Sequence, residues 1–584
     1  MPVNAYLGLY VDGDGPIGIM RELSAKDTAY FHYLPMIYPY LITTKPKTFV
    51  VQFGGGISTM VALHSSSSVT VGEANPAFLK AFRESDVLKN FTNDILNRVI
   101  VIPYDGRLFL ANTSERYDVI DLSLADSAGL SNPGGFAIVE KYSYTKEAMR
   151  HYMHALSDTG ILSVTLWNKE EPPKSVLKLF ATMAAAARAN GDKDISQNFF
   201  VASSYLSTVT VLYKRGGFTA DELIKLRTHT SSMSFDEIYS PGIKVDLAKA
   251  DHVFQDFHDS IFSIDTNKPI TESTGAAGVV NDETASDANA LTVPASLLSQ
   301  VAWQALIHDD WNSFSQRYLF DVQPLTNNHP YFAAYVFPKD LPKITDRLEL
   351  FQDEWGYLLL WATLAIACAA GLILISIPVI FGWRTAFSRY PGKSQTILYF
   401  ACLGFGYITV EVGLIAQFIQ ALSNATVSAS VLITGMLVFS GIGSFMSDKY
   451  ASSARTTLPK IFVAIGILLI GYSLILNPIL NAIGGLPYAV RLICCFALIA
   501  PPAFLMGFPM ATGMGVLTRL QKESMFLWAW GVNGCFSVIG AALVPIIATS
   551  FGLAAVIAIA GAAYLIAIPA FFGVLKPITS KAVI

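Results

Sequence analysis

The sequence predicts a doubly wound α/β domain in roughly its first 350 residues, followed by an all-α transmembrane bundle of about seven helices. Three observations predict it. Between residues 48 and 166, β-rich runs alternate with helical runs. Only 14% of the 584 residues are charged, against about 25% in ordinary soluble domains, and residues 355–584 hold just fourteen of them. That same region contains seven apolar stretches, each near the roughly 20 residues that a span needs.

Charge divides the chain further. Residues 355–584 carry eleven Lys/Arg against Glu411, Asp448 and Glu523, a net +8, which leaves −12 for the remainder of a chain whose total is −4. This excludes a purely soluble enzyme, a disordered chain and a basic nucleic-acid binder. The N-terminus, MPVNAYLGLYVDGDG, lacks the basic and apolar regions of a signal peptide. The five cysteines (368, 402, 494, 495 and 535) all fall in apolar stretches, so the soluble part has no disulfide framework and no CxxC metal site.

Residues 1–45 form a β-rich lead-in. Residues 46–350 then build the α/β domain. A strand at Thr48–Gln52 runs into Gly54-Gly55-Gly56 and a helix over 57–65. Glycines allow close backbone approach to a ligand, and a helix N-terminus offers free N–H groups. A second strand, Ser68–Val71, ends at Gly72-Glu73, and Glu73 lies nineteen residues past Gly54. An acid at that distance can accept from both ribose hydroxyls of a nucleoside. The third strand, Arg98–Pro103, leads to Asp105-Gly106, and the fourth, Tyr117–Leu122, leads to a loop over 123–127. A helix over 145–156 precedes a fifth strand at Gly160–Leu166. Such a parallel sheet binds ligands at the C-terminal ends of its strands, where the glycine turn, Glu73, Asp105 and the 123–127 loop all sit. Further along, Thr219 caps a helix with Asp221 and Glu222 in its first turn. His32 reads as a half-buried structural histidine, and residues 266–294 as a flexible insertion.

Residues 355–584 form the multi-pass domain, with spans at 356–381, 397–420, 427–446, 460–480, 489–516, 525–548 and 551–572. The last two are joined by a tight Ser550–Gly552 hairpin. Pro501, Pro502 and Pro509 predict a kinked or locally unwound fifth span. Glu411 lies mid-span, where an ionisable group is costly and is a functional candidate by default. Asn533 reads as a packing hydrogen bond. With seven spans, ten Lys/Arg fall on one side and Arg491 alone on the other, which places the ten in the cytoplasm and the soluble domain outside.

The motifs FGGG, VGEANP, YDGRLFL, YDVIDLSLADS and EKYSYTKEAMRHYMHALSDTGILSVTLW resemble the spermidine synthase-like branch of the Rossmann-like class I methyltransferase fold, in its membrane-fused form. PLTNNHPYF, VEVGLIAQF, LVFSGIGS and WAWGVNG extend the resemblance from about Leu9 to Leu565. The opening AYLGLYVDGDGPIGIM resembles the interior of a longer member with further spans upstream. The resemblance implies binding of S-adenosylmethionine or its decarboxylated form, as substrate and without a metal. Gly54, Gly55 and Gly56 would line its methionine side, Glu73 the ribose, and Asp105 the adenine amino group, with Gly106 making room. The 123–127 loop would cover the sulfonium. Two departures stand out. Family acids are replaced by Ile57 and Ser123, so that Asp126 is left as the base or amine anchor and Ser123 as a loop contact. Asp121, in the strand, is expected to face away from Ser123's neighbours.

Three functions follow: transfer of an aminopropyl or other S-adenosyl-derived group to an amine, a retired nucleoside domain on a solute transporter or sensor in which Glu411 matters more, or methyl transfer from S-adenosylmethionine. The implied partners are a small-molecule amine or polyamine, the lipid bilayer, and a second copy or an upstream membrane partner, but no nucleic acid. The implied location is the inner cell membrane. Donor supply puts the soluble domain in the cytoplasm, opposite to the side that the Lys/Arg bias gives.

Overall fold

The computed structural model describes residues 4–577 except 11–16, 25, 125–138, 169–172, 205–207, 246–294, 319, 341–354 and 382–390. The chain divides into two compact units. One comprises Met1–Ala137, Ser143–Leu325 and Phe332–Glu354; the other comprises Ile138–Tyr142, Thr326–Tyr331 and Trp355–Ile584. The insertion expected over 266–294 lies outside the described residues.

The first unit opens with a hairpin, β1 (Tyr6–Leu9) and β2 (Ile17–Met20), paired antiparallel. A doubly wound sheet follows. Its elements are β3 (Lys47–Val50), α1 (Ile57–Ser65), β4 (Ser68–Gly72), α2 (Pro76–Glu84), α3 (Asp86–Thr92), β5 (Ile100–Ile102), α4 (Gly106–Asn112), β6 (Tyr117–Ser123), α5 (Lys146–Ala155) and β7 (Leu156–Trp167). Then come α6 (Ser175–Ala189), β8 (Phe199–Ser204), β9 (Thr208–Lys214), α7 (Ala220–Ser232), β10 (Asp236–Tyr239), α8 (Ala295–Ile307) and α9 (Trp311–Arg317).

The eight strands lie in the order β5-β4-β3-β6-β7-β9-β8-β10. β3 to β7 are mutually parallel, and β9 inserts antiparallel between β7 and β8. Chain order reverses between β3 and β6, the switch point at which such sheets bind ligands. The fold class is therefore a mixed, Rossmann-like α/β sheet followed by a bundle of seven long apolar helices.

Local sequence explains the elements. Central strands such as Tyr117–Ser123 are buried on both faces, as in parallel sheets covered by helices. Helices start at caps that use free backbone N–H groups: Asn75 for α2, Ser85 for α3, Thr145 for α5, and a full Thr219–Glu222 capping box for α7. One apolar core joins the hairpin, α1, α2 and the strands through Ile19, Val50, Phe53, Met60, Val61, Val71, Phe82 and Val119. His32 is exposed rather than half-buried, its ring 6.2 Å from that of His229.

The second unit holds α10 (Trp355–Phe381), α11 (Lys393–Leu422), α12 (Ala425–Ser447), α13 (Ala454–Gly484), α14 (Tyr488–Arg519), α15 (Phe526–Phe551) and α16 (Leu553–Val574). All seven are long and apolar enough to cross a membrane. Of the two forms expected for the fifth span, kinked or locally unwound, the unwinding is corrected: α14 is helical throughout, across Pro501, Pro502 and Pro509. The physical reason is visible at Pro502, which cannot donate to the carbonyl of Leu498 four residues back. The Tyr472 hydroxyl of α13 donates to that carbonyl instead, at 2.8 Å. Asn533 packs as expected, its Nδ2 donating to Phe400 O at 3.3 Å. A Cβ on Gly404 would collide with the Asn533 carbonyl, so α11 and α15 meet backbone to backbone.

Gly552 alone joins α15 to α16, at φ +88°. This corner is sealed by the NNHP motif. Asn328 accepts from Ala554 N through Oδ1 at 2.8 Å and from Leu553 N through its carbonyl at 2.9 Å, which satisfies the free N–H groups of α16. Asn327 Nδ2 donates to Asn481 Oδ1 of α13 at 3.3 Å, and Gln420 Nε2 of α11 donates to the same oxygen at 2.6 Å. Tyr331 donates to Glu140, and the Tyr142 hydroxyl donates to Ala416 O of α11 at 3.0 Å. Arg491 is buried, and its Nη1 donates to Ala421 O at the C-terminal end of α11.

Candidate functional site

The switch point builds from the end of β3. Val51 N donates to Asp121 O at 2.9 Å and Phe53 N to Gly72 O at 3.0 Å, which ties the turn to both neighbouring strands. Gly54 and Gly56 then adopt φ +54° and +79°, left-handed values that side chains disfavour. Gly55 is required for a different reason: a Cβ there would collide with the carbonyl of Gly18 in β2. Ile57 lies against the same hairpin, 3.7 Å from the place of a Gly18 Cβ, among Leu7, Leu9 and Ile17. The position where the resembled family carries an acid is thus filled by an apolar side chain in an apolar cluster.

Glu73 follows β4 directly and is only 6% exposed. It accepts from Asn75 N at 2.8 Å, and the N–H groups of Gly54 and Ala74 also face it. Burial pushes its pKa up to about 7 against these donors, with Asp105 adding repulsion. Glu73 and the glycine turn are therefore one structure, and Asp105 is its electrostatic neighbour. Asp105 caps α4, accepting from Arg107 N at 2.8 Å, and pairs loosely with the Arg107 guanidinium at 3.5 Å. The space that Gly106 leaves is taken by the Val51 carbonyl, so this glycine serves the close approach of α4 to β3.

The fourth strand runs one residue further than expected and ends at Ser123, which is buried rather than part of the following loop. Leu124 then turns at φ +48°. The expectation for Asp121 is corrected. Residues two apart in a strand share a face, and Ser123 Oγ donates to Asp121 Oδ1. Ser123 Oγ also lies 3.1 Å from Thr165 Oγ1 of β7, and Ser58 of α1 donates to the Ser123 carbonyl at 3.4 Å. Asp126 and the remainder of the 123–127 loop beyond Leu124 lie outside the described residues.

Glu411 sits in the other unit. It is half-buried and makes no hydrogen bond or ion pair among the described residues, with Tyr407 one turn away as its electrostatic neighbour. Sequence reasoning missed Asp121, although the strand period of two carried the signal. It also missed Glu140, a half-buried acid on the Tyr331 hydroxyl whose pKa is raised by desolvation. Among the site residues, the glycine turn, Glu73, Asp105 and Ser123 all come to the C-terminal edge of the sheet.

Chemically, this edge offers a buried carboxyl ringed by backbone N–H groups, a second carboxyl beside it, and a carboxyl–hydroxyl pair across the switch point. A carboxylate accepts hydroxyl and ammonium protons alike.

No protein-family model matches the chain, and no curated protein matches its sequence. Solved structures share part of its fold. A spermidine synthase in complex with the transition-state analogue AdoDATO aligns at 14% identity and a TM-score of 0.24, over 38% of this chain and 72% of that one. A spermidine synthase from Thermotoga maritima aligns at 15% identity and 0.24, over 38% and 73%. An rRNA methylase from Streptococcus thermophilus aligns at 15% and 0.20, over 31% and 93%.

Proposed function

We propose that the first unit binds S-adenosylmethionine or its decarboxylated form and transfers an S-adenosyl-derived group, foremost aminopropyl, to an amine. The observation that carries the reading is Glu73. It is a buried acid, fixed against the glycine turn at the C-terminal end of β4, one strand from the switch point. An acid held there meets the vicinal hydroxyls of a ribose, and the turn beside it lets a ligand approach the backbone. Asp105, one strand further out, stands where an adenine amino group would donate. The bundle anchors this transferase in the bilayer, with the sheet domain on the cytoplasmic side where the donor is made.

The test uses the full chain in detergent with decarboxylated S-adenosylmethionine and 1,4-diaminobutane. The expected product is methylthioadenosine, formed in proportion to the aminopropylated amine. S-adenosylmethionine is the parallel donor, and S-adenosylhomocysteine as the sole product would favour methyl transfer. Release of neither product, across a panel of amines, would remove the transferase reading. A second reading then stands on Glu411, a mid-span acid without a partner among the described residues: the bundle moves or senses a small solute.

A further inference from the structure

Resting on the transfer reading above, we propose that Asp121 accepts, through the hydroxyl of Ser123, the proton that an amine acceptor loses before it attacks. Strand register is the first support. Ser123 of β6 pairs with Thr165 of β7, and Thr165 pairs with Thr210 of β9. Laterally paired residues share a face. Thr165 and Thr210 hydroxyls lie 3.0 Å apart and Ser123 lies 3.1 Å from Thr165, so a row of three hydroxyls crosses the sheet and ends on one carboxyl.

The second support is where this carboxyl sits. Asp121 is fully buried within the central strand β6. Its Oδ1 accepts from Ser123, while Oδ2 has no hydrogen-bond partner among the described residues. A carboxylate so placed is costly, and a strand needing only packing would carry an apolar residue here. Burial pushes its pKa up to about 7, with Ser123 and Ser58 opposing. Such a group exchanges its proton near neutrality, the range suited to a general base.

The third support is the pattern of loss. The family position at 57 holds Ile, packed under the hairpin, and the position at 123 holds Ser. Asp121 restores a carboxyl one hydrogen bond behind Ser123. Leu124 turns the chain away at once, which leaves Ser123 as the last strand side chain on that face.

The step balances. An N–H proton of the acceptor ammonium passes to Ser123 Oγ as the Ser123 proton passes to Asp121. The freed amine lone pair forms the N–C bond at the carbon on the sulfonium. The C–S bond breaks with its electron pair to sulfur, giving a neutral thioether, and Asp121 later returns its proton to solvent. Ser123 touches the acceptor, and Asp121 is the positioning residue behind it.

The test compares wild type, Asp121→Asn, Ser123→Ala and the double variant Asp121→Asn/Ser123→Asp, all as full chains. Donor binding is read by titration with decarboxylated S-adenosylmethionine, and kcat and KM are read with 1,4-diaminobutane from pH 5.5 to 9. Among the described residues, the titratable group facing Asp121 is Tyr40, from the 35–41 turn; Ser58 of α1 and Ser163 and Thr165 of β7 are neutral. Asp121 must be ionised to accept, so wild-type kcat rises with pH through about 7. Asp121→Asn should lower kcat about 100-fold, abolish that limb, and leave donor affinity intact. The double variant should recover a large part of kcat, because a carboxylate again meets the amine. An unchanged kcat and pH profile in Asp121→Asn overturns the proposal. So does a joint fall of donor affinity and kcat that Ser123→Asp does not rescue, the mark of a structural role. Failure of wild type to bind the donor at all overturns the transfer reading first, and is seen before any variant is made.

Discussion

Glu73 illustrates how a site residue trades stability for readiness. Its pKa rises from 4.5 to about 7 because burial outweighs the backbone donors around it. The folded state therefore holds the proton up to about pH 7, whereas the unfolded chain releases it near 4.5. Stability from this group is full below the unfolded value and is lost as pH rises through the folded one, on the order of 3 kcal/mol in all. Glu73→Gln should flatten this dependence between pH 4.5 and 7, measured by denaturant unfolding with the buried Trp303 as reporter. An equally steep dependence in the variant would place the titration elsewhere. Glu73 and Asp105 were legible in the sequence because Glu73 follows β4 directly and Asp105 opens the helix after β5, so chain position fixes their place. Asp121 was missed, although the strand period of two places it on the face of Ser123. Ile57 could be read as a missing acid, but its packing against the hairpin depends on a contact with Gly18, some forty residues away.

At the scale of elements, alternation of strands and helices was readable because each parallel strand is a continuous apolar run between turn residues. β8 and β9 carry the same signal, in FFVASS and TVTVLYK, yet nothing local says that β9 enters antiparallel between β7 and β8. Only the packed sheet decides that. The prolines of α14 show the same limit. Sequence marks the lost donor, but the hydroxyl that replaces it comes from another helix. Tyr472→Phe should cost about 1 kcal/mol by leaving the Leu498 carbonyl unpaired, with Tyr472→Trp worse through overpacking. Unfolding in detergent, followed by helical circular dichroism, checks this. A Phe variant as stable as wild type would mean that α14 bears its proline gap unaided. The NNHP motif belongs here as well: its asparagines cap and bind helix ends that no local rule connects to residue 328.

Across the whole molecule, two demands meet on opposite sides of a bilayer. An S-adenosyl donor calls for the sheet domain in the cytoplasm. Lys393, Lys449, Arg455, Lys460, Arg519, Lys522 and Lys576 gather at the other ends of the seven spans, where the positive-inside rule wants the cytoplasm. Some of that bias is structural rather than topogenic. Lys522 is buried, and its Nζ donates to Pro391 O and Val574 O at 3.0 and 3.1 Å, clasping two chain segments. Arg491, the one cation on the opposite side, also serves a helix end. The central claim, a membrane-held transferase fed by an intracellular donor, is thus tested most directly by sidedness. Lys80 on α2 and Lys449 after α12 are both exposed. Each is changed to Cys and treated in intact cells with a membrane-impermeant maleimide, with the parent chain as background. The account predicts labelling at 449 and protection at 80 until the membrane is opened. Labelling at 80 in intact cells, with 449 protected, would contradict it.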